Sequence, residues 1–295
     1  MVPATSANLG PGFDSLGIAL DLWNTVEASI SQTPAVNISG EGSEYLSRSE
    51  DNLVYKSAQM AFREAGESPP ELSLICNNRI PLARGLGSSA AGIVGGLLAG
   101  NALCREPLPM EKIFQIAASM EGHADNVAPA IFGGFQIVIK DENKFISTKA
   151  LIPSNLKAVV FIPDVSMPTN EAREILSPEI SREDAVFNIG RVALLVNSLS
   201  NGNLDDLVHA TKDRLHQPAR EQIFPAMKYV FRAATNAGAL GVFLSGGGSS
   251  VLALANNRFM TIGYEMADAA DKIGITGNVI VVSPTQEGAY LIRNE

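Results

Sequence analysis

The stretch Pro81-Leu82-Ala83-Arg84-Gly85-Leu86-Gly87-Ser88-Ser89-Ala90-Ala91 limits what this chain can fold into more than any other. Ahead of it, Glu71-Leu72-Ser73-Leu74-Ile75 alternates polar and apolar side chains as a strand does; behind it, Ala90 to Leu103 runs without proline in a pattern suited to a helix. Passing from strand to helix in so few residues needs backbone freedom. Gly85 and Gly87 supply it, because glycine enters positive φ at no steric cost. Ser88 and Ser89 then fall at a helix N-terminus, where unpaired N–H groups and the helix dipole favour an anion. A triphosphate with its magnesium suits such a turn, with a serine hydroxyl on the metal; a plain serine-capped turn suits it too. The string is not a Walker A loop, since no Gly-Lys-Ser/Thr follows the glycines, and the dinucleotide fingerprint is incomplete.

With 295 residues the chain can form two compact domains or one large one. The 46% hydrophobic content and 26 glycines predict a tightly packed core. A net charge of −9 and no basic run argue against a nucleic-acid partner. Cys76 and Cys104 are too few for a disulfide framework and lack metal-ligand spacing, which fits a reduced cytoplasmic setting. No apolar run reaches membrane-spanning length and no basic segment precedes an apolar core at the start, so a soluble, intracellular protein without a membrane partner is expected.

Other polar clusters stand out along the chain. Residues 3–17 hold three glycines and two prolines around Asn8, Phe13 and Asp14, a composition that predicts a tight turn and not a strand. Strands are expected over Leu16–Ile30 and Val36–Gly40, an acidic loop over 41–51, and a helix from Asn52-Leu53-Val54 to Ala65. An amphipathic helix, Met110–Met120, runs into Glu121-Gly122-His123-Ala124-Asp125-Asn126, where two acids, an imidazole and an amide lie between apolar walls. Glu121 could hold magnesium, and His123, Asp125 and Asn126 could orient a hydroxyl; a surface loop is the plain alternative. Thr169 could cap a helix carrying Arg173, and Arg220 follows His216-Gln217-Pro218-Ala219. Two helices, Ala185–Leu199 and Leu204–Arg214, flank an Asn-Gly-Asn turn; Val242–Leu254 reads as strand, glycine turn and strand. A helix from Phe259 to Ile273 and a strand from Val279 to Val282 end the chain.

In chain order, these segments resemble the homoserine kinases of the GHMP kinase superfamily. Ala4-Thr5-Ser6-Ala7-Asn8-Leu9-Gly10-Pro11-Gly12-Phe13-Asp14-Ser15-Leu16-Gly17 is similar to their N-terminal signature, and residues 81–91 to their ATP loop. Residues 121–128 are similar to E-G-H-P-D-N-V-A, the segment ending at Arg173 to S-T-x-x-A-R, 216–225 to H-x-P-Y-R-x-x-L-I-P, and 245–250 to the third superfamily motif. The resemblance implies an α+β, two-domain GHMP kinase fold, with a ribosomal-protein-S5-like nucleotide domain at 1–153, a ferredoxin-like domain at 154–295 and nucleotide between them. It implies transfer of the ATP γ-phosphoryl group to the L-homoserine hydroxyl, for threonine synthesis. Residues 81–91 would bind ATP, with adenine near Asn52–Val54. Ser88 or Ser89 with Glu121 would hold Mg²⁺. Asn8, Asp14, His123, Asn126, Thr169, Arg173 and Arg220 would hold the amino acid, the arginines clamping its carboxylate, which guanidinium forks suit. Asp125 and Asn126 would be catalytic by position and charge more than as a strong base. The partners implied are small molecules, with room for a homodimer. Only Met1 and Val2 precede Pro3, so the strand that members carry there is expected to be missing or truncated. Ala124, Ala219 and Ser249 replace the family's proline, tyrosine and proline, which should loosen the turns they occupy. A kinase for another small alcohol, such as mevalonate, and a non-catalytic sensor with the same fold are the alternatives.

Overall fold

The computed structural model describes residues 1–292, apart from the side chain of Thr169. The first sheet is assembled around one long strand. β1 (Val2–Ala7) runs antiparallel to β2 (Leu16–Ile30), whose first residues also pair with β5 and whose last six pair with β4. β3 (Ala35–Gly40) lies parallel to β4 (Leu72–Asn78), while β5 (Phe135–Asp141) and β6 (Lys144–Ala150) form a hairpin on the opposite side. The order is β3-β4-β2-β5-β6, with β1 attached to β2.

The N-terminal strand is therefore present, and it includes residues read above as turn. All six residues of β1 are buried, so small side chains fill both faces and no alternation betrays the strand. Pro3 is tolerated because the register with β2 shifts between Pro3 and Ala4. The tight turn itself follows β1: Asn8 and Leu9 adopt positive φ, and Asn8 Oδ1 accepts the Asp14 N–H.

Helices cover this sheet. α1 (Leu53–Glu64) is capped by Asn52, whose side chain accepts the Val54 N–H. α2 (Ser88–Asn101) is buried along almost its whole length, as an all-round apolar helix must be. α3 (Met110–Glu121) ends at Gly122 in the left-handed conformation, and α4 (Val127–Phe132) follows where a surface loop was the plain alternative. β5 begins only at Phe135, because Gly133 and Gly134 both hold positive φ.

β7 (Lys157–Pro163) opens the second sheet. α5 (Thr169–Glu174) is capped by Pro168 without a side-chain bond, so Thr169 is its first residue and not its cap; its side chain, expected at the substrate site, lies outside the described residues. α6 (Arg182–Asn201) ends at left-handed Gly202, and a 3₁₀ turn (Leu204–Asp206) leads into α7 (Leu207–Ala210). α7 stops short of the expected Arg214, because the Asp213 carboxylate accepts the N–H groups of Leu215, His216 and Gln217 and starts α8 (Gln217–Arg220) instead. α9 (Met227–Asn236), absent from the sequence reading, precedes the hairpin β8 (Gly241–Leu244) and β9 (Val251–Ala255). α10 (Phe259–Asp271) and β10 (Gly277–Val282) close the unit. Its order, β10-β7-β9-β8, with βαββαβ connectivity, is the ferredoxin-like arrangement.

Alternation along β7 and β9 divides their side chains between two cores. Val159, Phe161, Val251 and Ala253 pack with α9 and α10. Ala158, Val160, Leu252 and Leu254 join the core that contains Val2, Leu16, Leu97 and Ile131 of the first sheet's layers. One apolar core thus runs through both sheets. After β10 the chain returns to the first sheet, where Asp21 N–H donates to Ser283 O and Gly134 N–H to Thr285 O. No helix among the described residues is long and apolar enough to cross a membrane.

α1 and α2 cross at backbone contact. A Cβ on Gly96 would lie 2.3 Å from Val54 O, and one on Gly100 2.3 Å from Ala58 O. Glycine to alanine in an open helix position stabilises by up to ~1 kcal/mol. Here the sign should reverse: Gly100→Ala is expected to cost about 1–3 kcal/mol in urea unfolding, while Gly190→Ala in α6, whose Cβ would meet nothing within 4 Å, should stabilise.

Candidate active site

The 81–91 loop leaves β4 over the buried Asn24 side chain, which accepts the N–H groups of Arg79 and Ile80. Gly85 and Gly87 hold φ of 74° and 71°. Four successive carbonyls turn toward protein: Ala83 O accepts from Met167 N, Arg84 O from Ser250 N, Gly85 O from the Ser245 hydroxyl and Leu86 O from Thr5 N. The N–H groups of Gly85, Leu86 and Gly87 have no protein acceptor among the described residues. They line a cavity of about 640 Å³ at the start of α2. Arg84 points away from the turn and donates to Pro163 O and Asp164 O, each at 2.7 Å. It fastens the loop to the second sheet and is not free for a phosphate.

Across the cavity, Glu121 at the end of α3 accepts the Ser89 hydroxyl at 2.7 Å. Burial raises the Glu121 pKa above its usual range, against the bond from Ser89 and the charge of His123. His123 Nδ1 sits 2.7 Å from Asp125 Oδ1, which also accepts the Asn126 N–H. Burial acts to lower the His123 pKa, but the Asp125 bond and charge, with Glu121 nearby, raise it overall. Asn126 Oδ1 accepts the Thr5 hydroxyl at 2.8 Å, so its amide N–H groups remain for the cavity that Asn126 lines.

The third wall combines the N-terminal turn with both arginines. Asn8 Nδ2 donates to Gly246 O. Arg173 grips Asp14 through both terminal nitrogens, at 2.6 and 3.1 Å; that bond raises the Arg173 pKa against partial burial. Arg220 is only 1% exposed, and donates to Ala172 O, Gly246 O and His216 Nδ1. All three acceptors are neutral, and no carboxylate lies within ion-pair distance among the described residues. Burial, with Arg173 alongside, lowers the Arg220 pKa to about 10, leaving it charged at neutral pH. Phe13 lies beneath both guanidinium groups, 5.4 Å from Arg173 and 5.7 Å from Arg220.

One cavity therefore brings together Asn8, residues 81–89, Glu121, His123, Asp125, Asn126, Arg173 and Arg220, and reaches Asn52, Leu53 and Val54. Asp14 joins through Arg173, while Ala90 and Ala91 are buried behind the loop in the core. Sequence reading missed Thr5, Ser245, Gly246 and His216. The first three contribute bonds that depend on long-range contact. His216 carries a sequence signal, a histidine three residues after Asp213 and four before Arg220.

The family model described as GHMP kinases N terminal domain matches residues 52–134, and that described as GHMP kinases C terminal matches 193–259. The chain has the GHMP kinase fold, with its cleft between an N-terminal and a ferredoxin-like unit. A homoserine kinase of Moorella thermoacetica is 42% identical over 99% of this chain and 98% of its own length. One of Carboxydothermus hydrogenoformans is 41% identical over 100% and 96%. The crystal structure of homoserine kinase from Cytophaga hutchinsonii superposes with a TM-score of 0.87 at 32% identity, covering 97% of this chain and 94% of that one. This chain belongs to the homoserine kinase family.

The His123–Asp125 contact can be read directly. Asp125→Asn removes the charge that raises the His123 pKa, so His123 should titrate at lower pH than in the wild type when followed by NMR. An unchanged titration would mean that the contact does not form in solution.

Proposed function

We propose that this protein transfers the ATP γ-phosphoryl group to the side-chain hydroxyl of L-homoserine, giving O-phospho-L-homoserine for threonine synthesis. The observation that carries the substrate side is the buried, charged Arg220, which touches only neutral acceptors among the described residues. A buried cation is expected to be paired, and Arg220 lines the cavity, where a ligand anion can reach it. A carboxylate satisfies it, and the neighbouring Arg173 can share the load in a bidentate grip. Sharing Arg173 loosens its hold on Asp14, which becomes the acceptor for an ammonium group. Asn8, whose carbonyl oxygen orders the Asp14 N–H, keeps that carboxylate in place. The site thus asks for both ends of an amino acid, which favours homoserine over mevalonate, a carboxylate without an ammonium.

The rest of the cavity serves transfer. The unpaired N–H groups of the glycine loop and the start of α2 hold phosphate oxygens, and Asn52–Val54 form the adenine end. The Ser89 hydroxyl and Glu121 carboxylate fit a magnesium ion: two oxygen donors already in contact beside the phosphate cradle, the remaining positions suiting water and phosphate oxygens. Held by Ser89 and Glu121, a magnesium ion would supply positive charge against the phosphates during transfer. We assign the metal serine as Ser89, because Ser89 and not Ser88 touches Glu121. His123 and Asn126 hold the hydroxyl in line, and Asp125 fixes both through its carboxylate. The chain's part is positioning and charge, which this reaction needs more than covalent chemistry.

We divide the chain at 153/154, between β6 and β7, with the segment after β10 returning to the first unit. A net charge of −9 and two buried free cysteines support a cytoplasmic enzyme without nucleic-acid or membrane partners.

The test is turnover by purified protein with Mg-ATP and L-homoserine, L-serine, L-threonine or mevalonate, following ADP and phosphorylated product. Homoserine should be strongly preferred; turnover of mevalonate alone would overturn the substrate, and binding without turnover would favour a sensor. Arg220→Ala should raise KM for homoserine about thirtyfold, the effect of one charged hydrogen bond, with KM for ATP nearly unchanged. Glu121→Gln should instead depress kcat and raise the magnesium concentration required.

A further inference from the structure

His216 is wholly buried, lies outside the residues assigned to the site, and contacts one of them directly. Its two nitrogens have partners of opposite kind. Nε2 lies 2.7 Å from Gly10 O, which can only accept, so Nε2 carries the hydrogen. Nδ1 lies 2.7 Å from Arg220 Nη1, which can only donate, so Nδ1 is bare. The ring is therefore neutral, and the 3.6 Å approach of Nε2 to Asp213 is not an ion pair. Burial, with Arg220 nearby, opposes protonation and holds its pKa at about 4, although Asp213 pulls the other way.

This ring stands between two parts of the amino-acid site that come from different sheets. Gly10 belongs to the turn that carries Asn8 and Asp14, and Phe13 of the same turn stacks on His216 at 5.4 Å. Asp213 anchors the other side: it accepts the backbone N–H of His216 and the side chain of Asn188, which in turn donates to Pro11 O. We propose that His216 is a positioning residue that fixes the Arg220 guanidinium relative to the Asn8–Asp14 turn, so that carboxylate and ammonium subsites keep the spacing of one amino acid. A histidine suits the place because it offers an acceptor to Arg220 and a donor to Gly10 in one rigid ring. The inference rests on Arg220 as the carboxylate clamp. The Arg220→Ala variant tests that reading separately, since an unchanged KM there would remove the clamp whatever His216 does.

The experiment is steady-state kinetics on three variants, with NMR on the wild type. His216→Phe fills the volume without either bond, His216→Asn keeps an acceptor near Nδ1, and His216→Gln keeps a donor near Nε2. His216→Phe should raise KM for homoserine about tenfold or more, with KM for ATP within about twofold, and His216→Asn and His216→Gln, each keeping one of the two bonds, should fall between it and the wild type. Equal KM values in all three, or a parallel rise in KM for ATP, would overturn positioning in favour of a merely structural ring. Should the variants fail to fold, the wild-type ring nitrogens decide: Nε2–H with bare Nδ1 at neutral pH supports the proposal, and Nδ1–H or a charged ring overturns it.

Discussion

The architecture depends on the close approach of Gly85 to the turn between β8 and β9. A Cβ on Gly85 would stand 2.0 Å from Ser245 O, so backbone meets backbone there. From that contact the rest of the cradle follows. The Ser245 hydroxyl donates to Gly85 O and accepts from Ser6, and Gly246 N–H reaches Ala7 O at the end of β1. Loop, first strand and second-sheet hairpin thus meet at one point, and the loop carbonyls are consumed in holding it. Because a peptide's carbonyl and N–H point oppositely, that consumption turns the N–H groups toward the cavity. The anion cradle is a consequence of how two sheets are joined, and the apolar core that runs through both makes the junction rigid.

The charge arrangement on the far wall has the opposite character. Asp14 and Arg173 are about one-third exposed and satisfy each other, so their pair contributes little to stability and can be exchanged at small cost. Arg220 is buried among neutral acceptors and carries a desolvation cost that the anionic ligand proposed above would relieve. One arginine is free to move and the other is fixed before the ligand arrives. Preorganising the buried one spares reorganisation during binding, and the neutral His216 ring suits this, because a charged ring would face the guanidinium with a second positive charge.

How much of this was legible in the sequence varied with the range of the forces involved. The α1 cap at Asn52, the left-handed glycines of the loop and the Gly202 stop are local, and could be read from neighbouring residues. β1 could not, because strand pairing and burial on both faces override the turn-like composition of Pro3–Ala7. α9 is amphipathic, but it lies between two more conspicuous motifs. At the site, the residue types at Asn8, Glu121, Asp125 and the two arginines came through the resemblance. The assembly of Thr5 on Asn126 and of Ser245 on Gly85 did not, since each joins residues more than a hundred positions apart. Arg84 shows the converse: it sits inside the 81–91 glycine loop in sequence, while its guanidinium serves the junction behind it.

The departures from the family pattern bear on whether the site still works. Ala124 takes a proline's place without loosening its turn, for Gly122 closes α3, Asp125 holds both His123 and the Asn126 N–H, and Ala128 N–H returns to Ala124 O. Ser249 likewise replaces a proline, and its hydroxyl donates to Val165 O while Ser250 N–H holds Arg84 O. A proline stiffens a turn by removing backbone freedom in the unfolded chain; these hydrogen bonds fasten the folded turn instead. Both substitutions therefore leave the positions of Asp125, Asn126 and the loop intact, and neither removes a charged or metal-binding group. Arg220 binds a ligand carboxylate equally well in a sensor, so the feature that separates the two readings is the Ser89–Glu121 pair beside the glycine loop in the same cavity, oxygen donors that an amino-acid sensor does not need.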